Sequence, residues 1–140
     1  IEAGELGEIL SVNFRSNDVL CVATDMLSWT ARSTPGWFLW PHTMDLANWL
    51  TKRKARSVYA TGLKRKLVRM GIDTYDIMHA VVNYQDGTDG VFEASWVFPD
   101  SLPNLVYLHS EIVGSEGALF LDLHDQGIHK CTAGGMTYPS

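Results

Sequence analysis

The chain has 140 residues, 46% of them apolar and 11% aromatic, enough to bury a substantial core in one ordinary domain. Charged residues make up 19%, and 11 basic against 16 acidic side chains leave a formal charge of -5, which argues against nucleic acid or an anionic membrane as a partner. Five tryptophans are a heavy load for this length and favour cores, pockets and interfaces.

In chain order, Glu8 to Arg15 alternates as a half-buried strand, with Leu10, Val12 and Phe14 on one face. Val19 to Ala23 extends the sheet, and Thr30 to Gly36, with Ser33, Thr34, Pro35 and Gly36, has loop chemistry. Pro41 is a good first helical residue, and Met44, Leu46, Ala47, Trp49 and Leu50 repeat at helical spacing, with Asp45 early and Lys52, Arg53 and Lys54 late. Ser57 to Leu63 suits a strand, and Lys64 to Gly71 is a basic connector. Asp76 to Tyr84 and Val91 to Phe98 form a hairpin around Gln85 to Gly90, whose two Asp-Gly pairs supply positive φ angles. Leu105 to Val113 and Ala118 to Leu123 form a second hairpin about Gly114 to Gly117, and Gly127 to Cys131 and Met136 to Tyr138 add short strands.

A helix followed by many consecutive strands predicts an α+β fold with a largely antiparallel sheet. In the central hairpin, Met78, Ala80, Val82, Tyr84, Phe92, Ala94, Trp96 and Phe98 form a wholly apolar face. The opposite face, from Ile77, His79, Val81, Asn83, Val91, Glu93, Ser95 and Val97, is mixed, as expected of an open sheet face that meets a second copy.

The chain opens on Ile1, closes on Ser140 and is expected to be a piece of a longer protein. It shows no leader pattern, and apolar runs such as Leu119 to Leu121 are too short to span a bilayer, so neither secretion nor membrane insertion is indicated. Cys21 and Cys131 have no C-x-x-C partner and suit idle thiols in a reducing cytoplasm. No G-x-G-x-x-G, P-loop, G-x-S-x-G or H-E-x-x-H pattern is present, so no cofactor is expected on this chain alone. His109, His124 and His129 match no recognised ligand spacing, which favours surface histidines over a metal site. His79 fits cross-strand packing. The basic runs Lys52 to Arg56 and Lys64 to Arg69 suit solvated ends better than an anion site.

His42 stands apart, because it follows a tryptophan-rich stretch and falls in the first turn of the helix predicted from Pro41. There the helix dipole would keep an imidazole neutral and able to take a proton. Asp45, one turn on, is placed to hydrogen-bond that ring or a substrate hydroxyl. A plain helix start, with His42 packed on Trp40, fits the same spacing.

His42-x-x-Asp45 followed by Leu46-Ala-Asn-Trp-Leu50 resembles the His-x-x-Asp helix of the Gfo/Idh/MocA family of NAD(P)-dependent oxidoreductases. Gly4-Glu-Leu-Gly-Glu-Ile9 is similar to the motif that opens that family's C-terminal domain. Gly71-Ile-Asp-Thr-Tyr-Asp76, the strand pair around Asp86-Gly87 ending in Ser95-Trp96, and Gly114-Ser-Glu-Gly-Ala-Leu119 are similar to its later landmarks, in the same order. The resemblance implies that residues 1–140 form one substrate-binding and dimerisation domain, an open-faced, mostly antiparallel sheet with helices on one face. A missing Rossmann domain would bind NAD or NADP. It further implies that His42 exchanges a proton with the hydroxyl of a sugar, inositol or related polyol, with Asp45 beside it and Trp37, Trp40 and Tyr75 lining the pocket. The family often carries an aspartate four residues before the histidine; here Phe38 stands there, which leaves a non-catalytic binding or assembly module as the alternative.

Overall fold

The computed structural model describes residue 1 and residues 4–122, 127–132 and 134–137. Among the described residues, eight strands form one mixed sheet: β1 (Ile9–Val19), β2 (Ala55–Leu63), β3 (Ile77–Tyr84), β4 (Asp89–Phe98), β5 (Val106–Gly114), β6 (Gly117–Asp122), β7 (Gly127–Thr132) and β8 (Gly135–Thr137). Their spatial order is β2-β3-β4-β1-β5-β6-β7-β8. β1 runs parallel to β4, and every other neighbouring pair is antiparallel. This is the open-faced α+β architecture expected above.

One long helix, α1 (Pro35–Thr51), packs over β1, β3 and β4. Leu39, Thr43 and Ala47, four residues apart, form its buried stripe. Below it, Val12, Phe14, Ala80, Val82 and Phe92 make the main core, with Phe14 and Phe92 stacked across the parallel pair at 5.8 Å. A second cluster joins Leu39 to Ala23, Ala94, Trp96 and Leu67; Leu67 lies on the one-turn helix α2 (Lys66–Arg69). Asp76 anchors α2, accepting from the backbone N–H groups of Arg65, Lys66 and Leu67 at 2.7, 2.6 and 2.8 Å, which satisfies the free donors of a helix start.

The helix begins six residues earlier than the sequence predicts. Thr34 is the N-cap, its hydroxyl accepting from Trp37 N–H at 3.0 Å, and Pro35 is the first helical residue. The Ser33 to Gly36 stretch, with its loop-like composition, is therefore the capping signal, and Pro41 sits inside the helix, exposed. The helix ends where Lys52 adopts a left-handed conformation (φ 56°) and its N–H returns to Asn48 O.

β1 also differs at both ends. A register shift between Ile9 and Ser11 turns Ile9 inward and leaves Leu10 half exposed, so Leu10 does not share the face of Val12 and Phe14. At the far end β1 runs on to Val19, and Val22–Met26 form a π-helical turn instead of more sheet.

The central hairpin separates its faces over most of its length, except that Ser95 of the mixed face is fully buried and Met78 and Phe98 of the apolar face are half-buried, the register of β1 against β4 slipping between Ser95 and Phe98. Ala80, Val82, Tyr84, Phe92, Ala94 and Trp96 are buried, whereas His79, Val81, Asn83 and Val91 are exposed. On the open face Glu93 bonds Arg15 at 3.1 Å, Asn17 at 2.8 Å and His79 at 3.3 Å. Burial works to raise the Glu93 carboxyl, but the Asn17 amide and the Arg15 guanidinium outweigh it and hold it below the usual carboxylate range. Among the described residues, no helix is long and apolar enough to cross a membrane.

Candidate functional site

A pocket of about 280 Å³ opens between α1, β1 and β5. α1 contributes Phe38, His42 and Thr43, with Leu39 and Leu46 beside them; β1 contributes Ser16 and Asp18; β5 closes the wall with Val106 and Leu108. The helical period explains the grouping, because residues 38, 39, 42, 43 and 46 lie on one side of α1. The strand period explains the rest: Val12, Phe14, Ser16 and Asp18 alternate along one face of β1, and the first two end in the core while the last two reach the pocket.

His42 is the eighth residue of α1, near its middle, so the N-terminal dipole invoked for it does not act there. Its imidazole is exposed and, among the described residues, has no hydrogen-bond partner. It is free to meet a hydroxyl in the pocket. Asp45 is also exposed, one turn on; it makes no bond to His42 and does not line the pocket.

The three aromatic candidates are not brought to this pocket. Trp37 projects from α1 with 81% of its surface exposed. Trp40 packs between the two core clusters, over Gly36, with its indole N–H buried and without a partner among the described residues. Tyr75 lies against Gly62 of β2, with the Lys64 ammonium 5.0 Å from its ring, three strands away from β1.

Phe38 lines the pocket and also joins an aromatic cluster, edge-on to Trp29 at 5.5 Å and tilted against Trp96 at 5.8 Å. That packing accounts for an aromatic residue at the position where the resemblance expects a carboxylate. The carboxylate present comes from β1. Asp18 is 1% exposed, and its Oδ2 accepts from Trp96 Nε1 at 3.2 Å. Burial pushes its carboxyl up to about 6, with the Trp96 bond pulling the other way. The alternation that marks the strand from Glu8 to Arg15 continues to Val19, and three positions past Arg15 it turns Asp18 inward.

The other candidates lie elsewhere. Arg53 binds Asp86 and Thr88 and so ties the end of α1 to the hairpin turn, with Lys52, Lys54 and Gln85 around a second, shallow cleft. Lys64 pairs with Asp73 at 2.7 Å. His109 sits between Glu111 and Asp122 at 3.1 and 3.4 Å. His124 and the side chains of His129 and Cys131 lie outside the described residues, and among the described residues no cluster of metal-ligating side chains forms. Cys21 is an unpaired thiol that burial and the neighbouring Asp100 push up. Among the described residues the lining of the His42 pocket holds no Lys or Arg to pair with a pyrophosphate, and Asp18 adds a carboxylate.

The family described as the GFO/IDH/MocA C-terminal domain matches residues 1–120. Among curated proteins no sequence match was found. Solved structures share the fold closely. Levoglucosan dehydrogenase, in complex with NADH and L-sorbose, matches with a TM-score of 0.78 and 22% identity over 99% of this chain and 42% of its own. An inositol dehydrogenase homologue from Azotobacter vinelandii, complexed with NADH and myo-inositol, gives 0.80 and 17% over 99% and 37%. UDP-N-acetylglucosamine 3-dehydrogenase from Acidithiobacillus ferrooxidans gives 0.76 and 16% over 99% and 41%. The chain thus spans about two fifths of the length of these relatives.

Proposed function

The chain belongs to the GFO/IDH/MocA family as its C-terminal domain, and from that premise we propose that residues 1–140 form the substrate-binding and oligomerisation domain of a cytoplasmic NAD- or NADP-dependent dehydrogenase. The substrate class is a sugar, inositol or related polyol, as in the relatives that hold L-sorbose and myo-inositol. The observation that carries the reading is His42, an exposed imidazole with no partner among the described residues, on the rim of an otherwise largely apolar pocket.

Oxidising a hydroxyl to a carbonyl removes a proton from oxygen and a hydride from carbon. His42 takes the proton as general base and returns it in the reverse direction. The apolar walls of Phe38, Leu46, Val106 and Leu108 suit the C–H face of a polyol ring. NAD or NADP, the hydride carrier that the family implies, would be held by residues outside this chain. Trp37, Trp40 and Tyr75, all away from the pocket, contribute to the fold surface and core instead.

A non-catalytic assembly module remains the second reading, favoured by Phe38, whose ring is committed to Trp29 and Trp96. One variant separates the two. In the full-length protein His42→Ala is expected to lower kcat by at least about a hundredfold with the fold intact, and unchanged turnover would overturn the role given to His42.

A further inference from the structure

The pocket contains a carboxylate that the proton transfer at His42 does not use. Asp18 is held from behind by the Trp96 indole at Oδ2, while its Oδ1 is buried and has no partner among the described residues. An unpaired carboxylate oxygen in apolar surroundings is costly, and the cost is relieved when a donor reaches it. The polar groups around it are few: His42 and the Thr43 hydroxyl from α1, the Trp96 indole from β4 and the Ser16 hydroxyl from β1 itself, with apolar Val106 and Leu108 from β5. Among the described residues no Lys or Arg lines the pocket.

We propose that Asp18 is a substrate-binding residue of this pocket, its Oδ1 accepting a hydrogen bond from a hydroxyl of a neutral polyol or sugar adjacent to the hydroxyl that His42 serves. The inference rests on the polyol reading of the His42 pocket and deepens it. Phe38 removes the carboxylate that the resemblance places on α1, and Asp18 brings one to the same pocket from the opposite wall. The second torsion of an aspartate is soft, so a small rotation, which moves both oxygens together, brings Oδ1 toward a ligand and lengthens the Trp96 bond, and the ligand's hydrogen bond offsets that loss. The chemistry also sets selectivity. A neutral hydroxyl donor satisfies Asp18, whereas a sugar acid or sugar phosphate brings a second negative charge into a pocket with no cation to balance it. With its carboxyl near 6, Asp18 is mostly ionised at neutral pH and accepts in its stronger, charged form.

The test is calorimetric titration of the full-length protein with myo-inositol, D-glucose and D-gluconate. Asp18→Asn keeps an oxygen for the Trp96 indole but loses the charge, and it is expected to weaken the two neutral ligands by at least about tenfold while narrowing the gap between glucose and gluconate. A second measurement needs no substitution at Asp18: in a His42→Gln background, lowering the pH from 7.5 to 5 weakens myo-inositol and relatively favours gluconate. Equal affinities in wild type and Asp18→Asn, gluconate binding more tightly than glucose, or no binding of either neutral ligand would each overturn the proposal. The function reading fails separately. Asp18-dependent binding without NAD(P)-linked oxidation would sink the dehydrogenase and leave the binding site, whereas His42-dependent turnover with an unchanged KM in Asp18→Asn would do the reverse.

Discussion

The Trp96 indole N–H donates to Asp18 Oδ2 across 3.2 Å, joining the fully buried tryptophan of the hairpin to the carboxylate of the pocket. Burial raises that carboxyl from 3.8 to about 6. Between those values the folded protein keeps a proton that the unfolded chain has released. Stability from this group is therefore full below about pH 4 and falls as the pH rises through 6. Asp18→Asn removes the buried charge and keeps an acceptor for the indole, so it is expected to stabilise the fold by roughly 1–3 kcal/mol at pH 7.5 and by close to nothing at pH 4. Urea unfolding of both proteins at the two pH values checks this. A wild type equal in stability to the variant at pH 7.5 would mean that the burial carries no cost, and the functional argument for Asp18 would weaken with it.

Phe38 is expected to hold the wall of the pocket as well as the aromatic cluster. Phe38→Ala leaves a void between Trp29 and Trp96 and should cost roughly 2–4 kcal/mol, with Phe38→Leu recovering most of it. Tryptophan emission and denaturant midpoints report both changes. A loss below about 0.5 kcal/mol for the alanine variant would mean the ring contacts at 5.5 and 5.8 Å do little for stability.

Much of this fold is legible in the sequence because the strands announce themselves by alternation. Met78 to Tyr84 and Phe92 to Phe98 carry their inward face without a break, and Asp-Gly pairs mark the turn, so local pattern and tertiary burial agree. The start of α1 is not legible in the sequence because Thr34 and Pro35 are ambiguous: both residue types favour loops, and only the cap bond from Trp37 N–H distinguishes a helix start. With the helix starting at Pro35, His42 lies in its middle, beyond the reach of the N-terminal dipole. His42 itself, with Phe38 one turn before it, was legible as a pair. Asp18 was not, because a charged residue at an inward strand position runs against the pattern that identifies strands, and such conflicts gather at functional sites.

Gly36 poses a contest of two magnitudes. Alanine is better than glycine in a helix interior by about 1 kcal/mol. A Cβ at this position, however, would lie 2.7 and 2.8 Å from the Trp40 ring and 3.1 Å from Met78 Sδ, and that ring is wedged between both core clusters. Overpacking of this kind costs typically 1–3 kcal/mol, so Gly36→Ala should be net destabilising by up to about 2 kcal/mol. A higher midpoint in thermal or urea unfolding would show that Trp40 yields more easily than its packing suggests.

The open sheet face presents a row that crosses three strands, with Tyr59 paired to Val81 and Val81 paired to Val91. All three side chains are exposed, Tyr59 by 71%, and the adjacent row is the polar set of His79, Glu93 and Arg15 already linked by hydrogen bonds. An apolar row beside a satisfied polar one is the anatomy of an interface core with its rim. In a twofold dimer each copy of the row would meet its mate, so one substitution acts twice. Val81→Arg sets two charges against each other at the centre while costing little in a monomer, where the position faces water. The full-length protein is expected to run as a dimer or larger assembly by light scattering at about 10 μM, and Val81→Arg to shift it at least tenfold toward the dissociated form. An assembly unchanged by Val81→Arg would place the self-interface elsewhere on the molecule, and a wild type that stays monomeric at millimolar concentration would leave this face without a second copy to cover it.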